Sequence, residues 1–115
     1  MSQKNKYALI TVITTTEKEE DAIGIAKHLV SMRLCACAQV NGPILSHYWW
    51  EGSLQTSKEW QCAVKASIGN YKKIERAILD IHPYELPQII ALPIVSALPA
   101  YQDWVKEVTE EVAKP

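Results

Sequence analysis

The sequence predicts a single α+β domain of order βαββαβ with an extra C-terminal helix. Three observations carry this. A β-branched, mostly apolar run, Tyr7 to Thr15, opens the chain as a central strand. Two stretches with helical apolar spacing, the first beginning near Thr16 and the second at Asn70, flank a long alternating hairpin. A proline-clamped turn, His82-Pro83-Tyr84-Glu85-Leu86-Pro87, then leads into an apolar strand.

In the first helix Ala22, Ile23, Ala26, Leu29 and Val30 recur at helical spacing, with an end near Arg33. Thr16 and Glu19 form a capping-box pattern, and Glu17, Glu19, Glu20 and Asp21 crowd the first turn, where the helix dipole favours anions. Cys35 to Val40 reads as the second strand, whose alternation would place Cys35 and Cys37 on one face. Asn41-Gly42-Pro43 interrupts it as a bulge would, and the strand resumes through Tyr48-Trp49-Trp50 before turning at Glu51-Gly52. Residues 53–67 return, with Trp60, Cys62, Val64 and Ala66 alternating against Gln61, Ala63 and Lys65.

Asn70 is placed to cap the second helix, which lines up Tyr71, Ile74, Ile78 and Ile81. The last strand spans Gln88 to Val95, and Pro93 within it, lacking a backbone donor, demands an edge or a bulge. Pro99 suits the first turn of a third helix carrying Tyr101, Trp104, Val105, Val108 and Val112 inward. This is the split-βαβ, ferredoxin-like plan, an arrangement that many activities share.

At 115 residues the chain (1–115) holds one domain with a real core. Twelve Lys and Arg against thirteen Asp and Glu leave no electrostatic footprint for nucleic acid. No apolar run is long enough to span a bilayer, and the polar start Met1 to Lys6 lacks a signal-peptide core. These features, with an odd count of three cysteines, predict a cytoplasmic protein without a disulfide framework. Three consecutive aromatics, Tyr48, Trp49 and Trp50, point to both faces of one strand, more than a single small domain covers, so an oligomer is expected.

The polar turn is the candidate site, because an imidazole, a phenol and a carboxylate are more than a chain reversal needs. Thiols and imidazoles suit copper, which makes Cys35, Cys37, His47, His82 and Glu85 candidate metal ligands. Cys37 with His82 has the composition of a nucleophile and base, but no phosphate loop, nucleophile elbow or HExxH motif supports an enzyme. Lys65 with His82 would suit a small anion, and the same polar residues would equally make a satisfied network that fixes an interface.

Several motifs, in order, resemble the CutA divalent-cation tolerance proteins. They are Cys37 after Arg33-Leu34, Tyr48-Trp49-Trp50-Glu51-Gly52, His82-Pro83-Tyr84-Glu85-x-Pro87 running into Ile89-Ile90-Ala91-Leu92-Pro93-Ile94, and Tyr101-x-x-Trp104. The resemblance runs from about Tyr7 to Trp104. It implies a tight homotrimer similar in architecture to the PII signalling proteins, formed by intersubunit strand pairing. Tyr48, Trp49, Trp50, Trp60 and Pro93 are then expected at the trimer interface. It further implies a non-catalytic role in tolerance of divalent metal ions, with copper bound through Cys37 and His82; Cys35, read on the same strand face, is expected to join them as a metal ligand, and no cofactor is expected to be required for folding. A shared pocket near the subunit interfaces would draw on Cys37, Trp50, Glu51, Lys65, His82, Tyr84 and Glu85. No nucleic-acid or membrane partner is expected. The sequence departs from some members at Thr14, where they carry a cysteine.

Overall fold

The computed structural model describes residues 6–113, with side chains as far as Thr109. The start of the chain, read above as lacking a signal peptide, lies outside the described residues except for Lys6. Strand β1 (Leu9–Thr16) is followed by helix α1 (Glu19–Ser31), strands β2 (Cys37–Trp50) and β3 (Ser53–Ser67), helix α2 (Tyr71–Ile81), strand β4 (Ile90–Pro93) and helix α3 (Pro99–Ala113). One antiparallel sheet runs in the order β2-β3-β1-β4, the interleaving of the expected split-βαβ plan.

The core lies between the sheet and helices α1 and α2. Ile10 and Val12 of β1 and Cys62, Val64 and Ala66 of β3 meet Ala22, Ile25, Ala26 and Leu29 of α1 and Ile74, Ala77 and Ile78 of α2. The expected faces shift slightly. Ile25 takes the inward place assigned to Ile23, and Val30 and Ile81 are exposed. Helix α3 packs against β3 and buries Val105, whereas Trp104 is 41% exposed rather than buried; the side chain of Val112 lies outside the described residues.

Both expected caps are replaced by other devices. Thr16 donates its hydroxyl to the Lys18 carbonyl instead of capping α1, whose N-cap residue is Lys18. Asn70 donates its side-chain amide to the Leu34 carbonyl, tying the start of α2 to the segment before β2. Helix α1 ends in a Schellman motif: Leu34 N–H reaches the Leu29 carbonyl and Arg33 N–H the Val30 carbonyl, with Arg33 in the left-handed region at φ 58°.

The hairpin is the long element. β1 pairs with β3 only from Trp60 to Ser67, so the half beyond Glu59 projects with no third strand beside it. The predicted bulge falls between Asn41 and Ile44. Gly42 there has φ 155°, and a Cβ would lie 2.7 Å from the Trp60 ring, which explains the glycine. Glu51 and Gly52 both have positive φ, as a two-residue hairpin turn with the sheet's twist requires. Strand β4 is shorter than the expected Gln88–Val95 and lies at the sheet edge, where Pro93 is tolerated.

Thr14 faces this core at 1% exposure, and its hydroxyl has no hydrogen-bond partner among the described residues. A buried hydroxyl left unpaired costs stability that an isosteric methyl would not. Thr14→Val is expected to stabilise the protein by about 1 kcal/mol, measured as a higher denaturation midpoint.

Candidate functional site

The geometry is organised by a residue the sequence reading passed over. Glu59 of β3 is only 6% exposed, although it is a carboxylate. The Ser46 hydroxyl donates to its Oε1 at 2.6 Å and the Tyr84 hydroxyl to its Oε2 at 2.6 Å. Such short bonds to an ionised acceptor are the strong kind, and they supply part of what water would have given the charge. Burial first, and the bond to Glu59 second, push the Tyr84 phenol far above the ordinary tyrosine range, so it remains a donor.

His82 anchors the same turn from the other side. Its Nε2–H donates to the Thr15 carbonyl at 2.9 Å, and Nδ1 accepts the Tyr84 N–H at 3.0 Å. The two rings also meet edge-on, with centroids 4.9 Å apart. Pro83 keeps His82 extended at φ -71°, ψ 134°, which ends α2 and aims the imidazole back at β1. Desolvation lowers the His82 pKa below its usual 6.5, outweighing the Thr15 bond that opposes it.

Between this turn and the projecting hairpin lies a cavity of about 660 Å³. Its lining includes Trp50, Tyr84 and Glu85 from the expected pocket set, together with Ser46, Tyr48 and Glu59. Glu51 and Lys65 are not part of it. Glu51 is spent on the hairpin turn, and the Lys65 ammonium donates to Gln39 Oε1 at 2.7 Å.

The thiols separate as well. Cys35 precedes β2, so the alternation expected to pair it with Cys37 does not apply; it is buried in the core beside Cys62. Burial pushes the Cys35 thiol up to about 12 and that of Cys62 to about 11, leaving both protonated and unreactive. Cys37 is half-buried, with Sγ 3.3 Å from the Tyr101 hydroxyl of α3. Desolvation, then the contact with Cys37, raises Tyr101 to about 12. Cys35, Cys37 and His82 are therefore not brought together, and among the described residues no three His, Cys, Asp or Glu side chains are grouped closely enough to hold a metal. His47 is exposed and shares a hydrogen bond of 3.0 Å with Thr56.

Comparison with known proteins places this geometry. The family model described as CutA1 divalent ion tolerance protein matches residues 10–108. The chain belongs to that family. It is 37% identical over 98 residues to the divalent-cation tolerance protein CutA of Thermus thermophilus, covering 85% of this chain and 95% of the relative. The CutA of Thermotoga maritima is 34% identical over 99 residues, covering 86% and 97%. Among solved structures, the Cut A1 protein of Thermus thermophilus superposes with a TM-score of 0.85 at 36% identity, covering 88% of this chain and 98% of that one. The CutA1 of the psychrotrophic bacterium Shewanella sp. SIB1 gives 0.87 at 31%, covering 91% and 98%.

Two outcomes follow from the Glu59 and His82 contacts in this CutA-family chain. Tyr84→Phe leaves a buried carboxylate with one donor and is expected to cost roughly 1–3 kcal/mol in denaturant unfolding. Because folding holds His82 neutral, the unfolded chain binds more protons as pH falls below 6.5. Stability then declines from that point until pH drops below the lowered native value. His82→Gln should flatten this part of a melting-temperature profile against pH.

Proposed function

We propose that the protein serves divalent-cation tolerance as a cytoplasmic, non-catalytic homotrimer that binds copper as cargo, with Cys37 as the thiol ligand. The accessibility of Cys37 carries the reading. Of the three thiols it alone is not closed into the core, and thiols are preferred ligands of Cu(I). The names of its relatives support the tolerance role. His82 has both ring nitrogens engaged and no three-ligand group forms among the described residues, which supports a site completed by neighbouring copies.

Unpaired sheet edges support assembly. The projecting hairpin exposes Leu45, Trp49 (72%) and Leu54, and the β4 edge exposes Ile90 and Leu92. An apolar open edge invites pairing with another chain. Three copies is the number the family resemblance implies. Of the interface residues assigned from sequence, Tyr48, Trp49 and Pro93 are exposed and Trp50 is half-buried, while Trp60 packs partly against its own core.

The cavity beside Tyr84 favours a second reading, a PII-like trimer that binds a small ligand. The two readings part in one experiment. Demetallated protein is titrated with Cu(I), Cu(II) and Zn(II) against competing chelators, with light scattering on the same samples. A particle of three 13.0 kDa chains is expected. Cys37→Ser should weaken copper binding by at least about tenfold without changing the particle, whereas Cys35→Ser should not weaken it. Copper binding unchanged in Cys37→Ser would leave the small-ligand reading in its place.

A further inference from the structure

We propose that the cavity between the hairpin and the His82–Gln88 turn binds an organic ammonium cation. Glu59 is a buried carboxylate whose two hydrogen-bond donors, Ser46 and Tyr84, are neutral. Among the described residues no Lys or Arg forms an ion pair with it. The second carboxylate on the lining, Glu85, is exposed at the turn, and no Lys or Arg lines the cavity at all. The lining's one basic residue, His47, is engaged with Thr56. Among the described residues of a single chain the lining therefore carries negative charge without a counter-charge.

Its walls select the kind of cation. Tyr48, Trp49, Trp50 and Tyr84 line the space, the first three being residues also assigned to the trimer interface, and aromatic faces attract cations through their negative quadrupole. A weakly hydrated alkylammonium gains from such walls. A divalent metal ion instead needs several oxygen ligands, and among the described residues no three His, Cys, Asp or Glu side chains are grouped to hold one. A carboxylate oxygen retains a further lone pair, so Glu59 can still meet an N–H or a polarised methyl group. The volume, about 660 Å³, lies within the range of small-ligand sites. An anion, which Lys65 and His82 were expected to hold, would meet two carboxylates here and neither of those residues. The inference does not depend on copper binding, since Cys37 lies outside the lining.

Calorimetric titration of the assembled full chain tests it, using tetramethylammonium, uncharged tert-butanol and magnesium at constant ionic strength. Saturable tetramethylammonium binding is expected, with tert-butanol at least about tenfold weaker and magnesium failing to compete. Glu59→Gln, which keeps the side-chain shape, should weaken the ammonium by about tenfold or more, and Glu85→Gln by less. Melting and light scattering check that both variants keep the fold and the assembly. Absence of ammonium binding, equal uptake of tert-butanol, displacement by magnesium, or full affinity in Glu59→Gln would each overturn the proposal. If Glu59→Gln does not fold, the comparison of charged and uncharged probes on the unaltered protein, together with Glu85→Gln, decides.

Discussion

A carboxylate withdrawn from water must be met by donors, and that requirement at Glu59 governs the part of this molecule around the cavity. The donors come from Ser46, thirteen residues earlier, and Tyr84, twenty-five residues later. Satisfying one charge thus fixes β2, β3 and the turn after α2 against one another. His82 extends the tie to the C-terminal end of β1 through Thr15. The turn is held by its side chains rather than by a regular ladder, and β4 pairs with β1 only from Ile90 onward.

The same arrangement separates two kinds of chemistry. The buried thiols Cys35 and Cys62 behave as small hydrophobic residues, their raised pKa values following from desolvation. Cys37 escapes that fate because it sits opposite Lys65 in the ladder, outside the buried set of Cys62, Val64 and Ala66, where α3 brings Tyr101 to it. The acidic, aromatic cavity lies elsewhere, against the projecting half of the hairpin. The half-buried thiol and the acidic, aromatic cavity are thus built from different parts of one sheet.

Much of the frame was legible because it follows local periodicity. The β-branched run gave β1, alternation gave the buried face of β3, Asn41-Gly42-Pro43 marked the bulge, and Pro93 marked the edge. The caps were misread because Thr16 and Asn70 found carbonyl acceptors outside the cap pattern. Cys35 was misplaced because strand alternation was extended back across residues that precede β2. Glu59 was missed for a clearer reason. It alternates with the core-facing residues of β3, a position that normally marks a solvated charge, and only distant residues bury it. The available signal was a lone acid on β3, whose other charged residues are lysines, together with a polar turn in need of a partner.

The βαββαβ order, the apolar faces of the two core helices and the family were written in the chain itself, since these rest on spacing and on motifs contiguous along it. Packing in three dimensions settled that Glu59 is buried, that both nitrogens of His82 are engaged, that Glu51 and Lys65 stand outside the cavity and that Cys35 enters the core while Cys37 does not. Each of those outcomes depends on which side chains meet across the sheet. Burial and hydrogen bonding between residues far apart in the chain leave no periodic trace in the sequence.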